Sequence, residues 1–183
     1  TANPEVIAAD LIAQAEHDTD ALPVLVTTSR DLAIEVNSAL EEQLYSLPNA
    51  ETARTALAAG YAVLVDSVEE AADACNRLAP EHLEVLVGDI EDAASRLNHY
   101  GGLFLGSGAA EVFGDYGVGP NHVLPTGGNA RFAAGLSVLT FLRMRTWISS
   151  ETALEEDLIR DTAALARLEG LEGHARAAEA RLK

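Results

Sequence analysis

The sequence has 183 residues, of which 48% are hydrophobic, so the chain can bury a sizeable core and lacks the composition of a disordered protein. Its formal net charge of −17 argues against nucleic acids and anionic membranes as partners. The single cysteine, Cys75, excludes an internal disulfide framework and fits a reducing compartment, and no apolar run reaches membrane-spanning length. We therefore expect a soluble protein of the cytoplasm.

The first part of the sequence alternates helical and strand patterns. Apolar residues at three- and four-residue spacing, with N-cap serines at Ser29 and Ser67, indicate the helices. The predicted helices cover 8–15, 31–44, 53–59, 71–78 and 92–97. Short β-branched or apolar runs predict strands over 24–26, 61–65, 83–87 and 103–105. Strands that alternate with helices need crossover connections, which predicts an α/β protein with an incomplete Rossmann-like, doubly wound and mostly parallel sheet.

The pattern changes after Gly106, where an irregular segment rich in glycine, proline and asparagine extends to Ala134. An irregular segment of that length in a compact domain is usually functional or disordered, and the apolar residues interspersed in this one favour order. The remaining sequence predicts helices over 136–144, 151–168 and 175–182, and a turn with two glycines separates the last two. We therefore expect a Rossmann-like α/β domain over 1–135 and a small helical C-terminal tail over 136–183.

Gly106-Ser107-Gly108 follows a predicted strand, which is the position of a dinucleotide-binding loop. The third small residue of that fingerprint is replaced by Glu111, whose carboxylate would repel a pyrophosphate. No acid that could bind a ribose follows in a further strand–helix–strand unit. We expect these glycines to form a turn and this chain to contribute no cofactor-binding residues.

Gln14 and His17 lie three residues apart, so on one helix their side chains would share the face opposite the apolar stripe. An amide and an imidazole at this spacing can begin a zinc site, although a solvated pair is the more common occurrence. Glu81 and His82 follow Pro80 at the start of a predicted strand. Adjacent strand residues point to opposite faces, but at the end of a strand both can reach one site.

Asp115 and His122 lie in the irregular segment, where an Asp among turn residues most often bonds to nearby backbone. Glu169 and His174 lie at the two ends of the glycine-containing turn, where a solvated Glu and His would be unremarkable. Taken singly, each of these residues is more easily explained by structure than by function. Their order along the chain carries more information.

Five short strings occur in one order. They cover 10–18 (DLIAQAEHD), 79–84 (APEHLE), 114–116 (GDY), 121–126 (NHVLPT) and 169–174 (EGLEGH). Together they resemble the histidinol dehydrogenase family, and the resemblance extends from about Pro4 to Leu182. It implies a zinc-dependent enzyme that oxidises L-histidinol twice with NAD, through histidinaldehyde, to L-histidine in the last steps of histidine biosynthesis.

The resemblance also implies roles for residues that match the family strings. The zinc ligands would be Gln14, His17, Asp115 and His174. The acid–base pair would be Glu81 and His82. Substrate contacts would come from the four zinc ligands together with His82, His122 and Glu169.

The residue types suit this chemistry. Alcohol oxidation needs a base that takes the hydroxyl proton as hydride leaves, which suits the imidazole of His82. Aldehyde oxidation needs an activated water, which suits the carboxyl group of Glu81. Zinc would mainly orient the substrate, whose imidazole and amine can complete the ligand set.

Chains of this family are more than twice as long, and their nucleotide-binding domain precedes the Gln-x-x-His helix. We therefore expect this chain to be the C-terminal part of such an enzyme, or one of two companion chains. NAD would be bound by the upstream part, and the chain by itself would be inactive. The resemblance further implies a homodimer in which the tail over 136–183 delivers Glu169 and His174 to the partner's site.

Two alternatives stay open on the sequence alone. A related zinc- and NAD-dependent dehydrogenase that acts on another small polar alcohol would use the same ligands. A metal-binding or dimerisation module without turnover of its own belongs to a different class of protein.

Overall fold

A computed structural model of the protein describes residues 2–48, 50–150, 152 and 154–182. The chain divides into two compact units, Thr1–Phe141 and Leu142–Lys183. The helices of the first unit are α1 (Pro4–Ala15), α2 (Arg30–Ser46), α3 (Ala50–Ala59), α4 (Val68–Leu78), α5 (Ile90–Arg96) and α6 (Val112–Asp115). Its strands are β1 (Val24–Thr27), β2 (Tyr61–Leu64), β3 (His82–Val85) and β4 (Gly102–Leu105). The second unit contains α7 (Glu156–Leu168) and α8 (Glu172–Glu179).

The prediction of an α/β protein with parallel strands is confirmed. Strand β1 pairs in parallel with β2, with Val24 opposite Tyr61, and β3 pairs in parallel with β4, with His82 opposite Gly102. Within the described ranges these are two separate two-stranded sheets, where we expected one doubly wound layer. The elements predicted before Gly106 are all present, and their ends shift by a few residues.

Local side-chain bonds explain where the helices begin. Asn3 caps α1 by accepting the Glu5 N–H at 3.0 Å, and Ser29 caps α2 by accepting the Leu32 N–H at 3.2 Å. Ser67 likewise accepts the N–H of Glu70 at 3.1 Å. These bonds confirm both predicted serine caps.

Two apolar clusters form the core of the first unit. The first joins α1, α2 and α3 and consists of Ile12, Ala15, Leu44, Ala53 and Ala56. The second joins α4, α5 and the β3–β4 pair and consists of Ala72, Val85, Ala93 and Leu97. Half-buried Cys75 packs against the second cluster, and burial raises the pKa of its thiol.

The helix predicted over 136–144 is wrong. The structure has only a short 3-10 helix at Val138–Phe141. Val138 and Phe141 are each 79% exposed, so these side chains contribute little packing, and packing is what stabilises most protein helices. In the irregular segment the structure adds the single turn α6 and a 3-10 helix at Asn129–Arg131, which the sequence did not predict.

The second unit is a pair of helices joined by a tight turn. The predicted start of its first helix at Glu151 lies outside the described residues. Gly170 ends α7 in the left-handed conformation with φ +76°, while its N–H bonds to Arg167 and the Leu171 N–H bonds to Ala166. Helix α8 begins at Glu172, three residues earlier than predicted. None of the helices in the described part of the chain combines the length and apolarity needed to cross a bilayer.

Candidate active site

Gln14, His82 and Glu111 meet in the first unit and are called the Gln14–His82–Glu111 cluster below. The amide nitrogen Nε2 of Gln14 donates a hydrogen bond to Glu111 Oε2 at 2.6 Å. The amide oxygen Oε1 of Gln14 lies 2.7 Å from His82 Nδ1. The other ring nitrogen of His82, Nε2, lies 3.4 Å from Glu111 Oε1. A zinc-ligand candidate and a base candidate from the sequence are therefore in direct contact.

The backbone around β3 and β4 fixes the position of Glu81 and His82. Ala79 ends α4 in the left-handed conformation at φ 48°, which turns the chain sharply towards β3. The N–H of Gly102 then bonds to the carbonyl of Glu81 at 2.7 Å. Gly101 must be a glycine, because a Cβ there would lie 2.5 Å from the same carbonyl oxygen. His82 consequently starts β3 beside Phe104 of β4, with ring centroids 6.1 Å apart.

Glu111 is a functional candidate that the sequence interpretation missed. It is only 4% exposed, and its backbone N–H donates to Glu84 Oε1 at 3.0 Å. Burying a carboxylate is costly unless it is hydrogen-bonded, and the contacts of Glu111 with Gln14 and His82 offset this cost. Spacing signals could have identified its neighbours, since Glu84 lies two residues from His82 on one strand face and Asp10 lies four residues from Gln14 on one helix face.

Glu84 is a second carboxyl group beside this cluster, in contact with the backbone of Glu111. Burial raises the pKa of Glu84 to about 7, and the raising is reinforced by a hydrogen bond to the Asp10 side chain and by the negative charges of Asp10 and Glu111. The bond from the Glu111 N–H acts in the opposite direction. Glu84 therefore keeps its carboxylic acid proton up to about pH 7, and this proton can be donated to the Asp10 side chain.

Asp115 and His122 form a second contact in the same unit. His122 Nδ1 lies 3.6 Å from Asp115 Oδ1, which is longer than a hydrogen bond. The Asp115 side chain is 12% exposed and that of His122 is 64% exposed. The carboxylate of Asp115 is thus mostly buried, while the imidazole of His122 is exposed and can contact a small molecule.

Comparison with known proteins decides the family. A sequence model described as histidinol dehydrogenase matches residues 1–182. The chain belongs to the histidinol dehydrogenase family. The histidinol dehydrogenase of Geobacillus kaustophilus is 51% identical over 187 residues, which cover 100% of this chain and 43% of that relative. The histidinol dehydrogenase of Thermus thermophilus is 44% identical, over 99% of this chain and 44% of that relative.

A solved structure of the family has the same fold. The crystal structure of histidinol dehydrogenase from Elizabethkingia anophelis matches with a TM-score of 0.85 at 34% identity. The match covers 99% of this chain and 42% of that chain. This chain therefore spans less than half the length of the histidinol dehydrogenases it matches.

The predicted position of His17 on the helix of Gln14 is wrong. Helix α1 ends at Ala15, so Gln14 and His17 do not share one helix as predicted. His17 lies in the exposed turn that follows the helix cap at Glu16. The helix ends here because Asp18, Thr19 and Asp20 form a turn stabilised by Asp18, which accepts the N–H of Asp20 at 3.0 Å.

The two remaining candidates of the histidinol dehydrogenase strings lie in the second unit. Glu169 is the C-cap of α7, and His174 lies in the first turn of α8, so His174 is helical where a turn was predicted. Both side chains are exposed. Next to them, Arg167 donates to Glu172 at 3.0 Å and to Glu179 at 2.7 Å, which fixes α8 against α7.

The donor types of the four proposed ligands fit zinc. Gln14, His17, Asp115 and His174 offer an amide oxygen, a carboxylate and two imidazoles, which are zinc ligands. Among the residues that the structure describes, no group of three or more His, Cys, Asp or Glu side chains is arranged to hold a metal ion. At Gln14, Glu111 occupies the amide nitrogen and His82 Nδ1 lies 2.7 Å from the amide oxygen, so the second lone pair of that oxygen is the one that could bind a metal.

Proposed function

We propose that this chain supplies the acid–base and metal-binding residues for the zinc-dependent, NAD-linked oxidation of L-histidinol to L-histidine. Family membership over residues 1–182 supports the reaction class. The observation that carries the proposal is the 2.7 Å contact between His82 and Gln14, because it joins a base candidate and a ligand candidate that are 68 residues apart in sequence.

In the first oxidation, His82 removes the hydroxyl proton of histidinol while the carbon that carries this hydroxyl loses a hydride. Histidinaldehyde is the product. NAD, when bound, accepts the hydride of each oxidation. The His82 ring suits this role because Gln14 holds its Nδ1 in place, while 17% of the side-chain surface stays accessible to a substrate.

In the second oxidation, one water molecule adds to the aldehyde. Half-buried Glu81, directly before β3, takes a proton from that water, and the resulting hydrate then loses a hydride to give the carboxylic acid. The complete reaction thus consumes one water and releases two hydrides, which is an oxidation by four electrons.

Substrate binding is proposed for His122 and Glu169 in addition to the ligands Gln14, His17, Asp115 and His174. The exposed imidazole of His122 beside the set-in carboxylate of Asp115 supports a contact with a small polar molecule. These ligands would hold the zinc, which would supply a Lewis acid that orients the substrate.

The exposed apolar residues after Gly135 support a homodimer in which the tail is exchanged. Met144, Trp147 and Ile148 are 95%, 82% and 99% exposed. Exposed apolar patches mark interaction surfaces, since each Å² of apolar area that is covered stabilises an assembly by roughly 25 cal/mol. Light scattering should give twice the mass of one full-length chain, and a monomeric mass would contradict the dimer.

The proposal also covers the NAD site, the sheet and the cellular setting. We propose a nucleotide-binding domain upstream, a Rossmann-like sheet to which the β1–β2 and β3–β4 pairs belong, and a cytoplasmic setting. The relatives' greater length and the net charge of −17, which disfavours an anionic cofactor, support an upstream NAD site.

The test uses the full-length protein that contains these residues. L-histidinol should yield two NADH and one L-histidine, and metal analysis should find one zinc per site. His17→Ala should reduce the zinc content well below one per site, and His82→Asn should reduce kcat by about 10²–10⁴-fold. His99→Asn is the matched control and should change neither value. If another small alcohol is oxidised and histidinol is not, the substrate assignment is wrong.

A further inference from the structure

We propose that Glu111 is a positioning residue that acts through the Gln14 amide and fixes which ring nitrogen of His82 keeps its proton. The inference deepens the proposed function, because its catalytic meaning depends on His82 being the base of that reaction. The placement of the proton itself depends only on hydrogen bonds within the Gln14–His82–Glu111 cluster.

The orientation begins at Glu111. An ionised carboxylate only accepts hydrogen bonds, and of the two ends of a glutamine amide only the nitrogen donates. Glu111 Oε2 therefore selects Nε2 of Gln14, at 2.6 Å. A Gln14 amide turned by 180° would place two oxygen atoms against each other at that distance.

The Gln14 amide passes this orientation on to His82. Once its nitrogen faces Glu111, its oxygen faces His82 Nδ1 at 2.7 Å. A carbonyl oxygen cannot donate, so the proton of that bond must be on Nδ1. Nδ1 thereby becomes the nitrogen that keeps its proton, and Nε2 becomes the nitrogen that can take one from a substrate.

A competing arrangement is weaker. A proton on Nε2 instead of Nδ1 would face Glu111 Oε1, but at 3.4 Å that contact is long for a hydrogen bond. The same change would leave the bare Nδ1 facing the Gln14 oxygen at 2.7 Å, with lone pairs opposed. The two short contacts, from Glu111 to Gln14 and from Gln14 to His82, therefore decide the tautomer. A proton that Nε2 gains during the reaction would then lie beside the carboxylate of Glu111.

The position of Glu111 in the fold suits this role. Its side chain is 4% exposed, and Glu84 holds its backbone N–H at 3.0 Å. A carboxylate fixed in this way cannot follow a movement of Gln14, so it imposes one orientation on it. Partners of this kind, one step removed from ligands and bases, typically change metal affinity or activity by about 10–100-fold when they are replaced.

Nitrogen NMR of the metal-free, full-length protein tests the inference. The ring signals of His82 are identified by their loss in His82→Asn and are recorded at a pH at which the ring is neutral. In the unmodified protein Nδ1 should show the shift of an N–H nitrogen and Nε2 that of a bare one. In Glu111→Gln the new amide can present either end to Gln14, so a second population with the proton on Nε2 should appear.

Two further variants keep the inference falsifiable. Gln14→Met removes the link but leaves Glu111 facing Nε2, so the Nε2–H tautomer should become the major one even if Glu111→Gln does not fold. Thr27→Val removes another buried polar side chain and should leave the tautomer unchanged. An Nε2–H ring in the unmodified protein, or an unchanged ring in both site variants, would overturn the inference. Absence of histidinol oxidation with the tautomers as expected would refute the proposed function alone.

Discussion

Glu84 and His82 lie on the same face of β3 because they are two residues apart, and this brings the acid group close to the base. Glu84 meets Asp10 from α1 and the backbone of Glu111. Burial, and after it the neighbouring carboxyl groups of Asp10 and Glu111, raise the pKa of Glu84. The stability of the folded chain should consequently depend on pH through this residue.

Glu84→Gln should remove that dependence. The carboxyl group of Glu84 has its ordinary pKa of 4.5 in the unfolded chain, and this pKa rises to about 7 in the folded protein. Between these values the unfolded chain loses the proton before the folded one does. Folding therefore becomes less favourable as pH rises from 4.5 to 7, and the loss is complete above 7. Gln keeps an acceptor for the Glu111 N–H and a donor for Asp10, so it imitates the protonated acid.

Melting temperatures of both proteins from pH 4 to pH 8 measure the effect. We expect similar values at the acid end and a higher Tm for Glu84→Gln above pH 7. A difference between the two proteins that stays constant over the whole range would show that Glu84 does not carry a shifted proton.

Glu81→Gln should separate the two oxidations. Only the second oxidation consumes water, so the variant of the full-length protein should lose about 10²–10⁴-fold in kcat with histidinaldehyde. It should retain most of its rate in a single turnover from histidinol to the aldehyde. Glu69→Gln, whose side chain is 75% exposed, is the matched control and should keep both rates. Equal losses in the two half-reactions would contradict the assignment of water activation to Glu81.

At the scale of elements, α1 links the core to the site. Ile12 and Ala15 pack into the cluster with α2 and α3, while Asp10 and Gln14 point from α1 to Glu84 and Glu111. The packing of Ile12 and Ala15 thus fixes where α1 places the side chains of Asp10 and Gln14. Loosening the core contact should affect both stability and the site.

Ile12→Ala should reduce the free energy of unfolding by about 2–5 kcal/mol, because it removes buried methylene groups and leaves a cavity between α1 and its neighbours. Ile12→Val should cost only about 0.5–1.5 kcal/mol and serves as the control. Urea unfolding curves measure both changes. A loss for Ile12→Ala no greater than that for Ile12→Val would show that α1 is not held by this cluster.

At the scale of the whole molecule, the chain spans less than half the length of the relatives it matches, and the glycine-containing turn after β4 is followed by a buried carboxylate at Glu111. Hydride transfer needs the nicotinamide within roughly 3–3.5 Å of the reacting carbon. We therefore expect the 183-residue chain by itself to produce no measurable NADH from histidinol. Turnover close to that of the full-length protein would reveal a nucleotide site in this chain. Activity regained on mixing with the upstream part would support division of the site between the two parts.

The sequence by itself determined the α/β class, the four strands, the helices before Gly106 and the family. These follow from short-range information: apolar spacing of two or of three and four residues, serine caps at Ser29 and Ser67, and strings of a few residues in fixed order. The roles proposed for Gln14, His17, Glu81, His82, Asp115, His122, Glu169 and His174 also come from those strings and stay predictions.

Only the tertiary structure decided that Glu111 lies beside Gln14 and His82. On the sequence its carboxylate served as an argument against a nucleotide loop, whereas in the fold it holds Gln14 from 97 residues away. The pairing of His82 with Gln14 spans 68 residues, and local patterns hold no information at such separations. The placement of His17 on the helix of Gln14 and the helix over 136–144 were mispredicted for a related reason, since a helical pattern forms a helix only where capping and packing support it.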